Sequence, residues 1–143
     1  MTELNPKIKN YMTQAPESIC SESSILEAME IMQEKNIRHL PVKKEKETIG
    51  IISDRDIKTL FALAGPNYKS VKVGDVCSDQ PYVVNSNALL SEVVSEMASL
   101  KIGSAVVIDS GRLVGIFTTS DACRALAKII DEKSINQPDL KFY

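Results

Sequence analysis

The sequence repeats itself once, at a constant offset of 65 residues and without a gap. Residues 50–56 read GIISDRD, and residues 115–121 read GIFTTSD. The same offset carries matching residues along both halves: Pro16 and Pro81, Glu27 and Glu92, Met32 and Met97, Ile37 and Ile102, Val42 and Val107. A duplicated unit predicts two similar halves related by a pseudo-two-fold axis, so that any site at their junction occurs twice.

Length and composition favour a single globular module. The 143 residues are enough for one core shared by two halves, and 43% hydrophobic with 25% charged residues is typical of soluble domains. No apolar run approaches the ~20 residues that span a bilayer. The first ten residues contain no apolar core of a signal peptide, so we expect a cytoplasmic protein that does not bind membranes.

Charge and cysteine content exclude several classes of function. Seventeen basic and nineteen acidic residues are interspersed, and the chain has no Trp, four Tyr and three Phe, so neither a basic stripe nor a set of aromatic platforms for nucleic acid is evident. Three widely spaced cysteines give neither a disulfide framework nor a C-x-x-C motif. The single histidine, His39, cannot form a zinc site alone, and nothing indicates a catalytic triad. We therefore expect no metal and no catalytic residue.

The pattern of apolar residues predicts the order strand, helix, strand, strand, helix in each half. In the first half the elements are predicted at residues 18–20, 24–36, 40–42, 48–52 and 57–64. In the second half they are predicted at 82–84, 90–97, 104–108, 112–117 and 122–130, with Ser86 or Asn87 as the cap of the first helix. The fold class is thus α/β of the α+β type, built from two tandem βαββα units.

The repeat also predicts the domain boundaries. Residues 1–66 form the first unit, 67–72 a linker and 73–130 the second unit. Residues 131–143 have no counterpart in the first half, and the sequence assigns this tail no role.

The duplicated segment lies where a strand leads into a helix, which suits a nucleotide. Backbone N–H groups at a helix start are unpaired and the helix dipole is positive there, so a phosphate can be held. Ser53 or Thr118 can add a hydroxyl, and the carboxylate of Asp56 or Asp121 can accept hydrogen bonds from both ribose hydroxyls.

A structural interpretation of the same residues stands beside this one. Ser-x-x-Asp and Thr-x-x-Asp are ordinary N-cap patterns, in which the hydroxyl caps the helix and the acid stabilises its first turn by about 0.5 to 1 kcal/mol. Spacing alone favours capping over binding. The two interpretations are compatible, because a capping group can still face a ligand.

The ordered set of residues resembles the cystathionine-β-synthase-type (CBS) domain family. It comprises Pro16, the segment 37–42 (IRHLPV) and the segment 50–57 (GIISDRDI), followed by a second copy. Two such copies resemble the tandem pair known as a Bateman module. The resemblance covers residues 8 to 128, so we expect no attached catalytic, transporter or DNA-binding domain.

The resemblance implies clefts between the copies that bind adenosine-containing ligands such as AMP, ADP, ATP or S-adenosylmethionine. The ribose and phosphate residues would be Ser53, Asp56, Thr118 and Asp121. Further residues near the phosphates would be Arg38, His39 and Arg55 in one copy, and Gly103, Ser104 and Ser120 in the other. The adenine would lie against Thr13, Ala15, Ser18 and Ile19, or against Ser78, Gln80, Val83 and Val84. At these positions only the first copy carries arginines, since Gly103 and Ser120 offer no charge, so its site is expected to bind phosphate more strongly.

These features favour a sensor of adenine nucleotides that regulates a separate protein and takes no catalytic cofactor. The resemblance also implies a homodimer built through the last helix of each unit, residues 57–64 and 122–130. Two alternatives are an S-adenosylmethionine module and an interaction module with degenerate sites. An enzyme such as a nucleotide hydrolase is the least favoured, because only Asp54 near Asp56 suggests clustered carboxylates for Mg²⁺.

Overall fold

The computed structural model describes residues 5–136, and within them the predicted mixed α/β class with two similar halves is confirmed. The strands are β1 Thr13–Gln14, β2 Ile19–Cys20, β3 His39–Lys44, β4 Glu47–Ser53, β5 Val83–Val84, β6 Ser104–Asp109 and β7 Arg112–Thr118. The helices are α1 Ile25–Lys35, α2 Asp54–Ala64, α3 Leu90–Leu100 and α4 Thr119–Asn136. Short 3₁₀ helices cover Ile8–Asn10, Gly65–Ser70 and Val73–Asp75.

The strands form one sheet in each half. The first sheet has the order β2-β3-β4 and the second the order β1-β7-β6-β5. Each contains an antiparallel hairpin, β3 with β4 and β6 with β7, flanked by a parallel strand, β2 or β5. The hairpins share one register, since His39 lies opposite Ser53 and Ser104 lies opposite Thr118. The second hairpin turns through Ser110 and Gly111, both with positive φ, as its glycine predicts.

The two halves exchange their leading segments. Thr13 of β1 pairs with Ile116 of β7, and at the equivalent position Ser78 pairs with Ile51 of β4. The residues just before these pairs follow the same rule, because Ile8 lies in the core of the second half while the fully buried Val73 lies in the core of the first. Each half is therefore completed by the segment that precedes the other.

Chain length predicts one core shared by the halves, but each half has its own apolar core, and a third cluster joins them. The first core is formed by Ile19, Ile25, Ala28, Met32, Leu40, Val42, Ile52, Ile57 and Val73. The second is formed by Ile8, Leu90, Val93, Met97, Ala105, Val107, Phe117 and Ala125. Between the sheets Ile51 of β4 packs with Val106 and Ile116 of the other half. Burying these side chains together fixes how the halves sit against each other.

The helix starts follow the sequence in one half and depart from it in the other. Ser24 caps α1 as its spacing predicts, because its hydroxyl accepts the N–H of Glu27 at 3.2 Å. The predicted caps of α3, Ser86 or Asn87, are wrong: the helix begins at Leu90 after Leu89. Both the N–H and the hydroxyl of Ser86 instead donate to Asp109, at 2.9 and 2.6 Å. That long-range pair holds the pKa of Asp109 below its ordinary value.

The segments outside the repeated core are also ordered where the structure describes them. Residues 65–70 form a 3₁₀ helix whose Tyr68 packs edge-on against Phe61, with ring centroids 5.0 Å apart. Helix α4 continues to Asn136, so the first six residues of the predicted tail are helical, and residues 137–143 lie outside the described part of the chain. Between residues 5 and 136 no helix is long and apolar enough to cross a membrane.

Candidate functional site

The junction between β4 and α2 is closed by a reciprocal cap. The N–H of Ser53 donates to Asp56 Oδ2 at 2.8 Å, and the N–H of Asp56 donates to Ser53 Oγ at 3.1 Å. These two bonds form a complete capping box, which satisfies two N–H groups that the helix cannot pair itself. The capping interpretation of this motif is therefore confirmed.

The junction between β7 and α4 is built in the same way. The N–H of Thr118 donates to Asp121 Oδ2 at 2.9 Å, and the Thr118 hydroxyl reaches the same oxygen at 3.2 Å. The N–H of Asp121 returns a longer bond to Thr118 Oγ1 at 3.4 Å. Both repeats thus use one carboxylate oxygen of the aspartate for the cap.

The second carboxylate oxygen has different surroundings in the two halves. Asp121 Oδ1 accepts the hydroxyl of Thr13 at 3.2 Å and the guanidinium of Arg124 at 2.6 Å, and Asp121 is only 4% exposed. Asp56 is half-buried, and its Oδ1 accepts no hydrogen bond from residues 5–136. One carboxylate is therefore fully engaged and the other has an open acceptor.

Segment exchange decides which candidate adenine residues lie near which carboxylate. It brings Thr13, exposed at the surface, to Asp121 of the opposite half. Ala15 follows in a strained left-handed conformation with φ of 45°, tied to β7 by its N–H bond to Val114 O at 3.2 Å. Ser18 is half-buried, whereas the Ile19 side chain is 5% exposed and packs in the first core. Ile19 therefore presents almost no surface to a ligand.

The equivalent segment of the second repeat lies against the first half. Ser78 and Ile51 exchange both backbone hydrogen bonds, at 2.9 and 3.1 Å, which places Ser78 beside the strand that ends at Ser53. Gln80 is exposed. Val83 and Val84 lie further along and line a surface cavity of about 410 Å³ between β5 and α3.

Neither candidate carboxylate lines that cavity or the two others that the described residues form between the helices of each half. Those two have volumes of about 400 and 280 Å³, and their linings include Asp54 and Thr119, the first residues of α2 and α4. None of these three cavities therefore includes the aspartate of a candidate ligand site.

The segments before the two hairpins meet at the boundary between the halves. A Cβ atom on Gly103 would lie 3.3 Å from Nε2 of His39, so the ring packs against the glycine of the other repeat. The Gly103 carbonyl accepts the N–H of Thr119 at 3.1 Å, and the Arg38 carbonyl accepts that of Asp54 at 2.9 Å. Each segment is thus fastened to the helix start of its own half.

The segments before the two hairpins differ in the charge that surrounds them. Burial lowers the pKa of His39, Asp56 and Asp54 oppose that shift, and the neighbouring Arg38 adds to it. The side chains of Arg38 and Arg55 are exposed, whereas the equivalent positions in the second half carry Gly103 and Ser120. The half-buried Ser104 lies opposite Thr118.

Arg124 is the residue at these junctions that sequence reasoning missed. It lies one helical turn after Asp121, a spacing at which helical side chains meet, and that spacing was the available signal. Its counterpart in the first half is Thr59, so the repeat gave no reason to single it out. Within residues 5–136 no group of three His, Cys, Asp or Glu side chains could hold a metal ion.

Two halves that pair hairpins with capped helices and exchange their leading segments define a tandem-repeat module. The CBS domain model matches residues 8–62 and 73–128, and the chain therefore belongs to the CBS domain family as a tandem pair.

Curated relatives include short proteins and parts of enzymes. The chain is 32% identical over 100 residues to Hypoxic response protein 1 of Mycobacterium tuberculosis, covering 69% of this chain and 70% of the relative. It is 31% identical over 117 residues to YlbB of Bacillus subtilis, covering 80% and 78%. The match to inosine-5'-monophosphate dehydrogenase of Korarchaeum cryptofilum is 33% identical and covers 80% of this chain but only 22% of the enzyme.

Solved structures share the fold over most of the chain. AcuB from Vibrio cholerae superposes with a TM-score of 0.82 at 26% identity, covering 94% of this chain and all of the other. CBSX2, solved in complex with AMP, has a TM-score of 0.74 at 27% identity and coverage of 86% and 97%. The MJ0100 pair, solved with 5-methylthioadenosine and S-adenosyl-L-methionine, has a TM-score of 0.77 at 28% identity and coverage of 87% and 98%.

Proposed function

We propose that this chain is a non-catalytic cytoplasmic sensor that binds an adenine nucleotide (AMP, ADP or ATP) and regulates a separate protein. The observation that carries the proposal is the open Oδ1 of Asp56 at a capped strand-to-helix junction. The cap fixes the carboxylate through its other oxygen, so the open one is oriented in advance for a ribose hydroxyl. The AMP complex of CBSX2 supports this choice of ligand class.

Phosphate would bind beside the ribose in the same half. The N–H groups of Asp54 and Asp56 at the start of α2 are already paired, with the Arg38 carbonyl and Ser53 Oγ, so the phosphate would be attracted mainly by the positive end of the helix dipole. Arg38 and Arg55 are exposed on the segments that flank this start, and neither forms an ion pair within residues 5–136. Their charges support stronger phosphate binding in the first half than in the second.

S-adenosylmethionine is a second candidate because the MJ0100 pair was solved with it. Its sulfonium is a cation, which Arg38 and Arg55 would repel, whereas a phosphate would be attracted. The arginines therefore favour the nucleotide.

Regulation would follow from the shared architecture of the sites. A ligand that touches a junction in one half and the exchanged segment of the other favours one relative orientation of the halves. The coupling available to such a ligand is its difference in affinity between two states, about 1 to 3 kcal/mol. We also propose that two modules associate through α2 and α4, whose exposed apolar side chains include Phe61, Leu63, Leu126 and Ile130.

The test is a thermal-shift series followed by calorimetric titration. The ligands are AMP, ADP, ATP with and without Mg²⁺, S-adenosylmethionine, NAD and GTP. An adenine nucleotide should raise the melting temperature in a dose-dependent way. At a ligand concentration of about 100 Kd, the free energy of unfolding should increase by about 2.7 kcal/mol. If no adenosine compound binds, the proposal is wrong and an interaction module with degenerate sites replaces it.

The ribose contact is tested with Asp56→Ala. This variant should weaken AMP binding by about 1.5 to 3 kcal/mol, because it deletes charge-assisted hydrogen bonds. The control is Asp54→Ala, which removes another first-turn carboxylate of α2, one that pairs with Lys58 at 3.0 Å. Unchanged affinity in folded Asp56→Ala protein would contradict the ribose role.

A further inference from the structure

Two carboxylates at equivalent positions differ in how many hydrogen bonds they already accept. Asp121 takes two on Oδ2 from Thr118 and two on Oδ1 from Thr13 and Arg124. Asp56 takes one, on Oδ2, from the N–H of Ser53. A carboxylate has about four acceptor positions, so Asp121 has no remaining capacity and Asp56 has most of its own.

The groups that fill Asp121 Oδ1 lack matching partners in the first half. Thr59 stands where Arg124 would be, and Ser78 stands where Thr13 would be. Neither side chain hydrogen-bonds to Asp56 among the residues that the structure describes. The difference therefore arises from this chain's own substitutions between repeats and not from the shared fold.

We propose that Thr13 and Arg124 close the second site by occupying its ribose acceptor, so that a ligand fills the site at Asp56 first. This inference rests on the proposed function. At Asp56 a ribose hydroxyl replaces only water on Oδ1. At Asp121 it must displace a charged donor 2.6 Å from a carboxylate whose side chain is 5% exposed. A neutral hydroxyl replaces that ion pair poorly.

Arg124 determines the difference more than Thr13 does. Its bond to Asp121 is the shorter of the two and is assisted by charge. Its side chain is 70% exposed, so it can leave the carboxylate without disturbing the core. Exposure also means that salt screens the ion pair, and high ionic strength should therefore open the second site.

The experiment is calorimetric titration with adenosine and with AMP. Adenosine carries no phosphate, so any effect of Arg124 on it reports the carboxylate alone. The proteins are the full chain, Arg124→Ala, and Lys128→Ala as a control that removes a cation from the same helix. Lys128 lies over the Tyr11 ring at 5.7 Å and makes no ion pair with Asp121. Circular dichroism checks that each variant is folded.

We expect the full chain and Lys128→Ala to bind one equivalent of adenosine with measurable affinity, and Asp56→Ala to weaken that binding by about tenfold or more. Arg124→Ala should bind a second equivalent, with second-site affinity raised about tenfold or more for loss of a charge-assisted bond. Raising the salt concentration should likewise raise the second-site affinity of the full chain.

Three outcomes overturn the inference. If the full chain binds two equivalents with equal affinity, the second site is not closed. If Arg124→Ala leaves second-site affinity unchanged, Arg124 does not close it, and if AMP affinity there falls, Arg124 is a phosphate ligand instead. In each case the proposed function stands. If neither the full chain nor any variant binds AMP or adenosine, the proposed function fails and this inference fails with it.

Discussion

At the residue scale, Arg38 separates recognition of phosphate from recognition of the nucleoside. Its side chain is exposed beside the first junction and has no ion-pair partner within residues 5–136. Arg38→Ala should lower the affinity for AMP and ATP by about 1 kcal/mol and leave adenosine binding unchanged, because only a phosphate loses a partner. Arg112→Ala, at the far end of β7, is the matched control. Equal losses for AMP and adenosine would give Arg38 a structural role.

His39 makes the stability of the protein depend on pH. Burial lowers its pKa in the folded state below the ordinary value of 6.5, despite the opposing charges of Asp56 and Asp54. The unfolded chain therefore takes up the proton first as pH falls, and stability is lost from about pH 6.5 down through the lowered pKa. The pKa values of Glu22 and Asp109 are also lowered, but from 4.5 and 3.8, so their losses come at lower pH.

The measurement is the melting temperature between pH 7.5 and about pH 5.5, followed for the natural chain and for His39→Gln. The natural chain should lose stability across this window, and the variant should lose less because it has no imidazole to protonate. Parallel curves for the two proteins would show that His39 does not carry the dependence.

At the scale of elements, the exchanged segments approach the hairpins most closely at two equivalent glycines, Gly50 and Gly115. A Cβ on Gly50 would overlap the carbonyl oxygen of Ser78, which is backbone, and would lie 3.0 Å from Cys77 Sγ. A Cβ on Gly115 would meet the side chain of Met12, which can change rotamer. The same substitution therefore has different consequences in the two halves.

Gly50→Ala should lower the free energy of unfolding by about 2 to 3 kcal/mol, because the strand pairing between Ile51 and Ser78 must shift. Gly115→Ala should cost about 1 kcal/mol or less. Urea denaturation at neutral pH measures both, and Gly111→Ala tests strain from positive φ in open space. A larger loss for Gly115 than for Gly50 would contradict this account.

Secondary structure was predictable wherever local patterns encode it. Helix α1 begins after its Ser24 cap and ends at Lys35, followed by Asn36 in a left-handed conformation, near the residues that spacing predicts. Helix α3 begins at Leu90, where the apolar pattern predicts it, but its predicted cap is wrong, because Ser86 bonds to Asp109 on a strand 23 residues away. A short polar residue before a helix cannot be assigned as its cap when a distant partner competes for it.

Segment exchange was not predictable from local pattern. Strand β1 has two residues, both exposed, and the pair between Thr13 and Ile116 spans most of the chain. Offset matching identified Asp56 and Asp121 because both lie in the repeated motif. It could not reveal Arg124, since the contact depends on which repeat carries an arginine one turn further on.

At the scale of the whole molecule, the contact between the halves is apolar at its centre and polar at its edge. Ile51, Val106 and Ile116 form the central cluster, while His39 packs on Gly103 beside the first junction. A ligand bound at Asp56, as proposed, would lie close to this edge, since the charge of Asp56 acts on His39. Occupation of one junction is therefore positioned to alter the packing between halves.

The apolar side chains that remain exposed on α2 and α4 lead to a prediction about assembly. Leu63 is 83% exposed and Leu126 is 60% exposed, on the final helices of the two halves. Removing apolar surface from water is favourable. We therefore expect the module to form a homodimer that buries both helices. Light scattering coupled to gel filtration should give twice the chain mass of 15.7 kDa.

Leu63→Glu combined with Leu126→Glu should halve that mass, since the two carboxylates introduced in each chain would be buried without partners in the dimer. The control is Leu100→Glu, which places a charge at a residue 53% exposed at the end of α3, outside the proposed interface. Calorimetry with AMP should still detect binding in the monomeric variant, because both junctions lie within one chain. A natural chain that elutes as a monomer across a range of concentrations would show that these leucines serve another partner.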